Sequence, residues 1–80
     1  MSDEFASAKR RFVDLVHEID PDVTVVIPER PTQDAFRISL TRGGNRRFLT
    51  ISEDDMLDLD EDERAAAKMH ATLRAEIAHL

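Results

Sequence analysis

Cysteine is missing from this 80-residue chain, which excludes disulfides, thiolate metal sites and thiol nucleophiles together. Tryptophan and tyrosine are missing too, so four phenylalanines are its whole aromatic content. The two glycines stand side by side at Gly43 and Gly44, which leaves none for a phosphate-cradling loop. No apolar run approaches the roughly 20 residues needed to cross a bilayer, and the opening MSDEFASAKRRF lacks the apolar stretch of a secretory leader. Small secreted domains usually depend on disulfides, so these absences predict a reducing cytoplasm and no membrane partner. A chain of this size closes one hydrophobic core, and residues 1–80 are read as a single domain.

What is present is charge, unevenly placed. The net charge is −6. Residues 1–52 hold eight basic and eight acidic side chains, whereas residues 53–80 hold nine acidic and three basic ones. Repulsion of nucleic acid and anionic membranes is therefore expected from the last third alone. Arginine outnumbers lysine nine to two, a usage associated with GC-rich bacterial genomes.

Residues 3–19 read as an amphipathic helix, with Phe5, Ala8, Phe12, Leu15, Val16 and Ile19 at helical spacing. Ser2 is a candidate N-cap and Pro21 closes the helix. Alternating residues predict a strand over 22–28, with Val23, Val25 and Ile27 on its inner face. Pro28 and Pro31 bracket a loop, since neither donates to a ladder. A second strand, 35–42, turns at Gly43-Gly44 into a third, 45–52. A two-residue turn sets Ile38 against Leu49 and Phe36 against Ile51, keeping apolar residues on one face. A three-residue loop would oppose Ile38 to Thr50 and waste that face.

Ser52 caps a short helical turn at 53–57 that tucks in Met56 and Leu57. Asp60 and Glu63 form a capping-box pattern for a last helix at 61–79, striped by Ala66, Met69, Leu73, Ile77 and Leu80. The fold class is α+β: one small α-β-β-β-α domain, a three-stranded antiparallel meander with both helices packed on one face.

The chemistry is sparse. Asp58, Asp60 and Asp62 match the first, third and fifth ligands of a calcium loop, but Glu63 stands where glycine is required and Met69 where the bidentate glutamate belongs. Acids also favour helix starts, so the patch of Asp58, Asp60, Glu61 and Asp62 is read as capping and solvation, with weak cation binding and a basic protein partner as the alternatives. His70 and His79 fall on opposite sides of one helix, and His17 on the exposed side of another. These patterns predict no catalytic residues, no metal and no cofactor.

The strand register points to a different surface. It sends Val26, Arg37, Arg46, Phe48 and Thr50 to the sheet face opposite the helices, with Arg30, Arg42 and Arg47 extending a positive rim. Arginine beside an exposed aromatic is a mix enriched at protein interfaces. The expected function is a non-catalytic interaction module that meets a protein partner or a second copy through this face or an edge strand. Single-strand nucleic-acid binding is the alternative, and the net charge makes it the weaker one. The element order is similar to that of double-stranded RNA-binding domains, whose last helix opens with a basic run. Here that position holds Asp60-Glu61-Asp62-Glu63, so the likeness is one of order alone.

Overall fold

The computed structural model describes residues 4–80. Helix α1 spans Ala6–Ile19, strands β1 to β3 span Thr24–Val26, Ala35–Arg42 and Asn45–Ser52, and helices α2 and α3 span Glu53–Glu61 and Glu63–Ala78. The fold class is as expected, with one more helix. Strand order is β1-β2-β3, an antiparallel meander. Ser2 lies outside the described residues. Helix α1 starts at Ala6, later than expected, and the backbone N–H of Asp20 closes it on the Val16 carbonyl at 2.9 Å.

The hairpin register is the one that the apolar pattern requires. Arg42 faces Asn45, Ile38 faces Leu49 and Phe36 faces Ile51. Gly43 takes φ +60° at the first central position, which an L side chain adopts only at a cost. A two-residue hairpin makes Arg42 and Asn45 a hydrogen-bonded pair, and bonding then alternates along the ladder. The Glu53 N–H donating to the Asp34 carbonyl at 3.0 Å continues that alternation. The odd-numbered residues of β3 therefore bond β2, and the odd-numbered residues of β2 bond β1.

That alternation explains why β1 is only three residues long instead of seven. Val26 pairs with Ser39, so Pro28 would fall opposite Arg37, where a donor is needed and proline has none. The following connection is tighter than a plain loop. Thr32 and Ala35 bond reciprocally across Gln33 and Asp34, which sit at φ +54° and +64°.

The core lies between the inner sheet face and the helices. Phe12, Phe36, Ile38, Leu40, Met56 and Leu73 are fully buried, and the Phe5 ring meets Phe36 edge-on at 5.0 Å. Val25, Ile27 and Leu49 are half-buried.

Two expectations in the acidic segment are corrected. The turn at 53–57 is a full helix, because Leu59 follows Met56 at helical spacing and is also buried. Asp60 consequently lies inside α2, and the capping box with Glu63 does not form. Asp62 does that work instead: its N–H closes α2 on the Asp58 carbonyl at 2.8 Å, while its carboxylate accepts the Arg64 N–H at 2.9 Å to start α3. Ser52 caps α2 as expected, accepting the Asp55 N–H at 3.1 Å. No helix among the described residues is long and apolar enough to cross a membrane.

Candidate functional site

The face of the sheet away from the helices is built by period-two alternation, and it carries all five residues expected there. Ser39 sits centrally, paired with Val26 on one side and Phe48 on the other. Its small side chain leaves the two larger ones standing apart and exposed, Val26 at 57% and Phe48 at 52%. They are the exposed large hydrophobics among the described residues. Arg37 and Thr50 form the adjacent row on one side of it, and Thr41 and Arg46 the adjacent row on the other. The guanidinium of Arg37 lies diagonally over Phe48, 4.6 Å from the ring centroid, within cation–π range. Arg37, Arg46 and Thr50 are exposed.

Two arginines of the expected positive rim are elsewhere. Arg42 and Arg47 share the inner-face parity of Leu40 and Leu49, so both point toward the helices. Arg42 donates at 2.7 Å to Asp20 at the end of α1 and at 2.9 Å to the Leu80 carbonyl. Arg47 donates to Glu76 of α3 at 2.8 Å. Both are structural ties, which leaves Arg37 and Arg46 as the exposed cations of the hairpin. Strand parity, applied to Arg42 and Arg47 as it was to Phe48, is the sequence signal that identifies them.

The edge of β3 belongs to the same surface. Its even-numbered residues direct backbone N–H and C=O groups away from β2, and among the described residues no further strand pairs with them. Those residues are Arg46, Phe48, Thr50 and Ser52, and the first three hold exposed side chains on the open face. Beneath this edge runs a groove of about 230 Å³ between Leu49 and Ile51 of β3 and Ala65, Met69 and Thr72 of α3.

The acidic residues do not converge. Asp58, Asp60 and Glu61 are exposed on α2, and Asp62 spends its carboxylate on the α3 cap. No group of three or more histidine, aspartate or glutamate side chains among the described residues is placed to hold a metal. His17 donates from Nε2 to the Val23 carbonyl at 3.2 Å, pinning the end of α1 to the approach to β1. His70 borders a shallow depression with Glu18, Ile19 and Arg74, away from His79. The Arg42 guanidinium holds the Asp20 carboxyl below its ordinary value, with the Asp22 N–H assisting. That shift favours the charged form, the opposite of what a carboxylic general acid needs.

The chain matches no protein-family model, no curated protein and no solved structure at a meaningful level of similarity.

Proposed function

We propose that this chain is a small non-catalytic interaction module, of the kind found in the bacterial cytoplasm, that binds a protein partner or a second copy through the outer side of its hairpin. The observation that carries this reading is the coincidence of three features on Arg46, Phe48 and Thr50. These residues bear the β3 backbone that no further strand among the described residues pairs, they carry or flank the exposed ring, and they lie on the face that the helices leave open. An exposed strand edge is a template for pairing, and an exposed aromatic beside arginine is typical of residues that anchor protein contacts.

Single-strand nucleic-acid binding draws on the same Phe48 as a stacking platform. It is less well supported, because Arg42 and Arg47 are engaged with Asp20 and Glu76 and the net charge is −6.

The test is light scattering over a concentration series, with affinity capture in parallel, on the chain and on its Phe48→Asp variant. The expected result is a mass that rises with concentration, or a captured protein, and the loss of either in the variant. Phe48 lies outside the core, so the substitution should cost only about 1 kcal/mol of folding stability through lost strand propensity and the Arg37 contact, and thermal unfolding checks that the variant stays folded. A monomer at every concentration with nothing captured overturns the reading. Oligonucleotide binding at low salt that weakens steeply as salt rises would replace it with the nucleic-acid alternative.

A further inference from the structure

The strand that exposes its edge is also polar along its length, and this identifies its occupant. The hairpin end of β3 carries Arg46 free at the surface, whereas Ser52 at its other end leads directly into Glu53, Asp54 and Asp55. A second β3 laid alongside in the antiparallel sense sets cationic end against acidic end, twice by symmetry. The parallel sense sets like against like. The sequence of β3 is thus complementary to itself about a two-fold axis.

We infer that two copies of this chain pair their β3 edges antiparallel about an axis at Leu49, forming a continuous six-stranded sheet. This rests on the interaction reading above and names its partner. The register follows by elimination. Outward-pointing backbone groups bond only when Arg46, Phe48, Thr50 and Ser52 face one another's positions, which leaves an axis at one residue of the strand. An axis at Arg46 or at Arg47 sets that arginine on its own copy, an unfavourable like-charge pair. An axis at Phe48 sets Leu49 against Arg47 and Ile51 against Asn45 of the second copy, leaving no apolar pair on the inner face. An axis at Leu49 sets Ile51 against Arg47 but keeps one apolar pair at Leu49. An axis at Thr50 shortens the overlap to residues 48–52. With the axis at Leu49, the two half-buried leucines meet as a close, non-hydrogen-bonded pair over the joined grooves. Phe48 then faces Thr50 of the second copy, with the two rings diagonal across the axis and within reach of each other. Arg46 faces Ser52 of the second copy, next to the acidic start of its α2. The helices of both copies lie on one side of the sheet, where the groove is lined by Ala65, Thr72 and the longer Lys68 of α3 and by Asp55 of α2.

Amide hydrogen exchange followed residue by residue, at dilute and concentrated protein, tests the pairing. In the monomer the amides of Arg47, Leu49 and Ile51 are bonded to β2 and slow, while those of Arg46, Phe48 and Thr50 exchange freely. Edge pairing slows the second set about tenfold or more as concentration rises. The register is read by mild oxidation of single-cysteine variants in this cysteine-free chain. Leu49→Cys should give a disulfide-linked dimer and Phe48→Cys should not, since Cα atoms of a non-hydrogen-bonded pair lie about 4.5 Å apart and those of a diagonal pair about 7–8 Å. Free exchange at Arg46, Phe48 and Thr50 in a chain that nonetheless dimerises overturns the edge pairing and leaves contact through the open face standing. A chain that stays monomeric while Phe48→Asp releases a captured foreign protein overturns self-pairing and leaves the interaction reading intact. Cross-linking through Phe48 instead of Leu49 overturns the register.

Discussion

Two residues between β1 and β2 carry backbone strain. Gln33 and Asp34 both hold positive φ in the centre of a two-residue turn, a geometry that Asn-Gly adopts with little cost. Aspartate tolerates it, but glutamine is poorly suited. Replacing the pair by Asn-Gly should stabilise the chain by about 1 kcal/mol, seen as a higher thermal midpoint. An unchanged or lower midpoint would mean that the two side chains contribute something that the backbone cost conceals. Nothing in Pro-Thr-Gln-Asp announces this turn, because it is imposed by its ends: Ala35 belongs to β2, and the Asp34 carbonyl accepts from Glu53. Phe48 is the contrary case. Its outward placement follows from residue parity once the glycine turn is two residues long, and its sequence position already implies its exposure. The Arg37 guanidinium over its ring is also legible, as a diagonal neighbour on paired strands.

At the scale of elements, α2 is the least legible. Its nine residues contain six acids and no base, and the last turn carries Asp58, Asp60 and Glu61 at the negative end of the helix dipole. A sequence rule that places acids at helix starts assigns these residues to the start of α3, although they form the end of α2. What extends α2 is Leu59, whose burial outweighs the unfavourable charges. Glu61→Lys should therefore stabilise the chain by about 0.3–1 kcal/mol in low salt, an effect that added salt diminishes. Chemical denaturation at two ionic strengths measures it, and a loss of stability would contradict this account of α2. The long strands, by contrast, are legible in register as well as extent, since slipping β3 by one residue would turn Leu49 and Ile51 to solvent.

At the scale of the whole molecule, Arg42 joins three distant parts of the chain. It lies at the end of β2 and reaches both Asp20 after α1 and the Leu80 carbonyl beyond α3. Because Asp20 is held below its ordinary value of 3.8 in the folded chain, its contribution is fully present above that value and is lost as pH falls through the folded value. Asp20→Asn should lower the thermal midpoint by a few degrees at most near neutral pH. That difference should shrink toward zero below the ordinary carboxylate value. A difference that stays constant into acid would exclude the ionised pair as its source.

The sequence by itself determined what local rules and parity can decide. Alternation and one glycine pair specify the hairpin, its register and the side chains on each face, and the helical stripes specify which surfaces must be covered. The absence of cysteine is equally decisive, since it rules out disulfides and thiolate ligands. Tertiary structure decided what depends on partners distant in the chain. It shortened β1 through the missing donor of Pro28, extended α2 through the burial of Leu59, and turned Arg42 and Arg47 from rim charges into ties to Asp20 and Glu76. The physical reason is common to all three. Backbone alternation is a nearest-neighbour property, whereas burial and ion pairing depend on which elements the fold brings together.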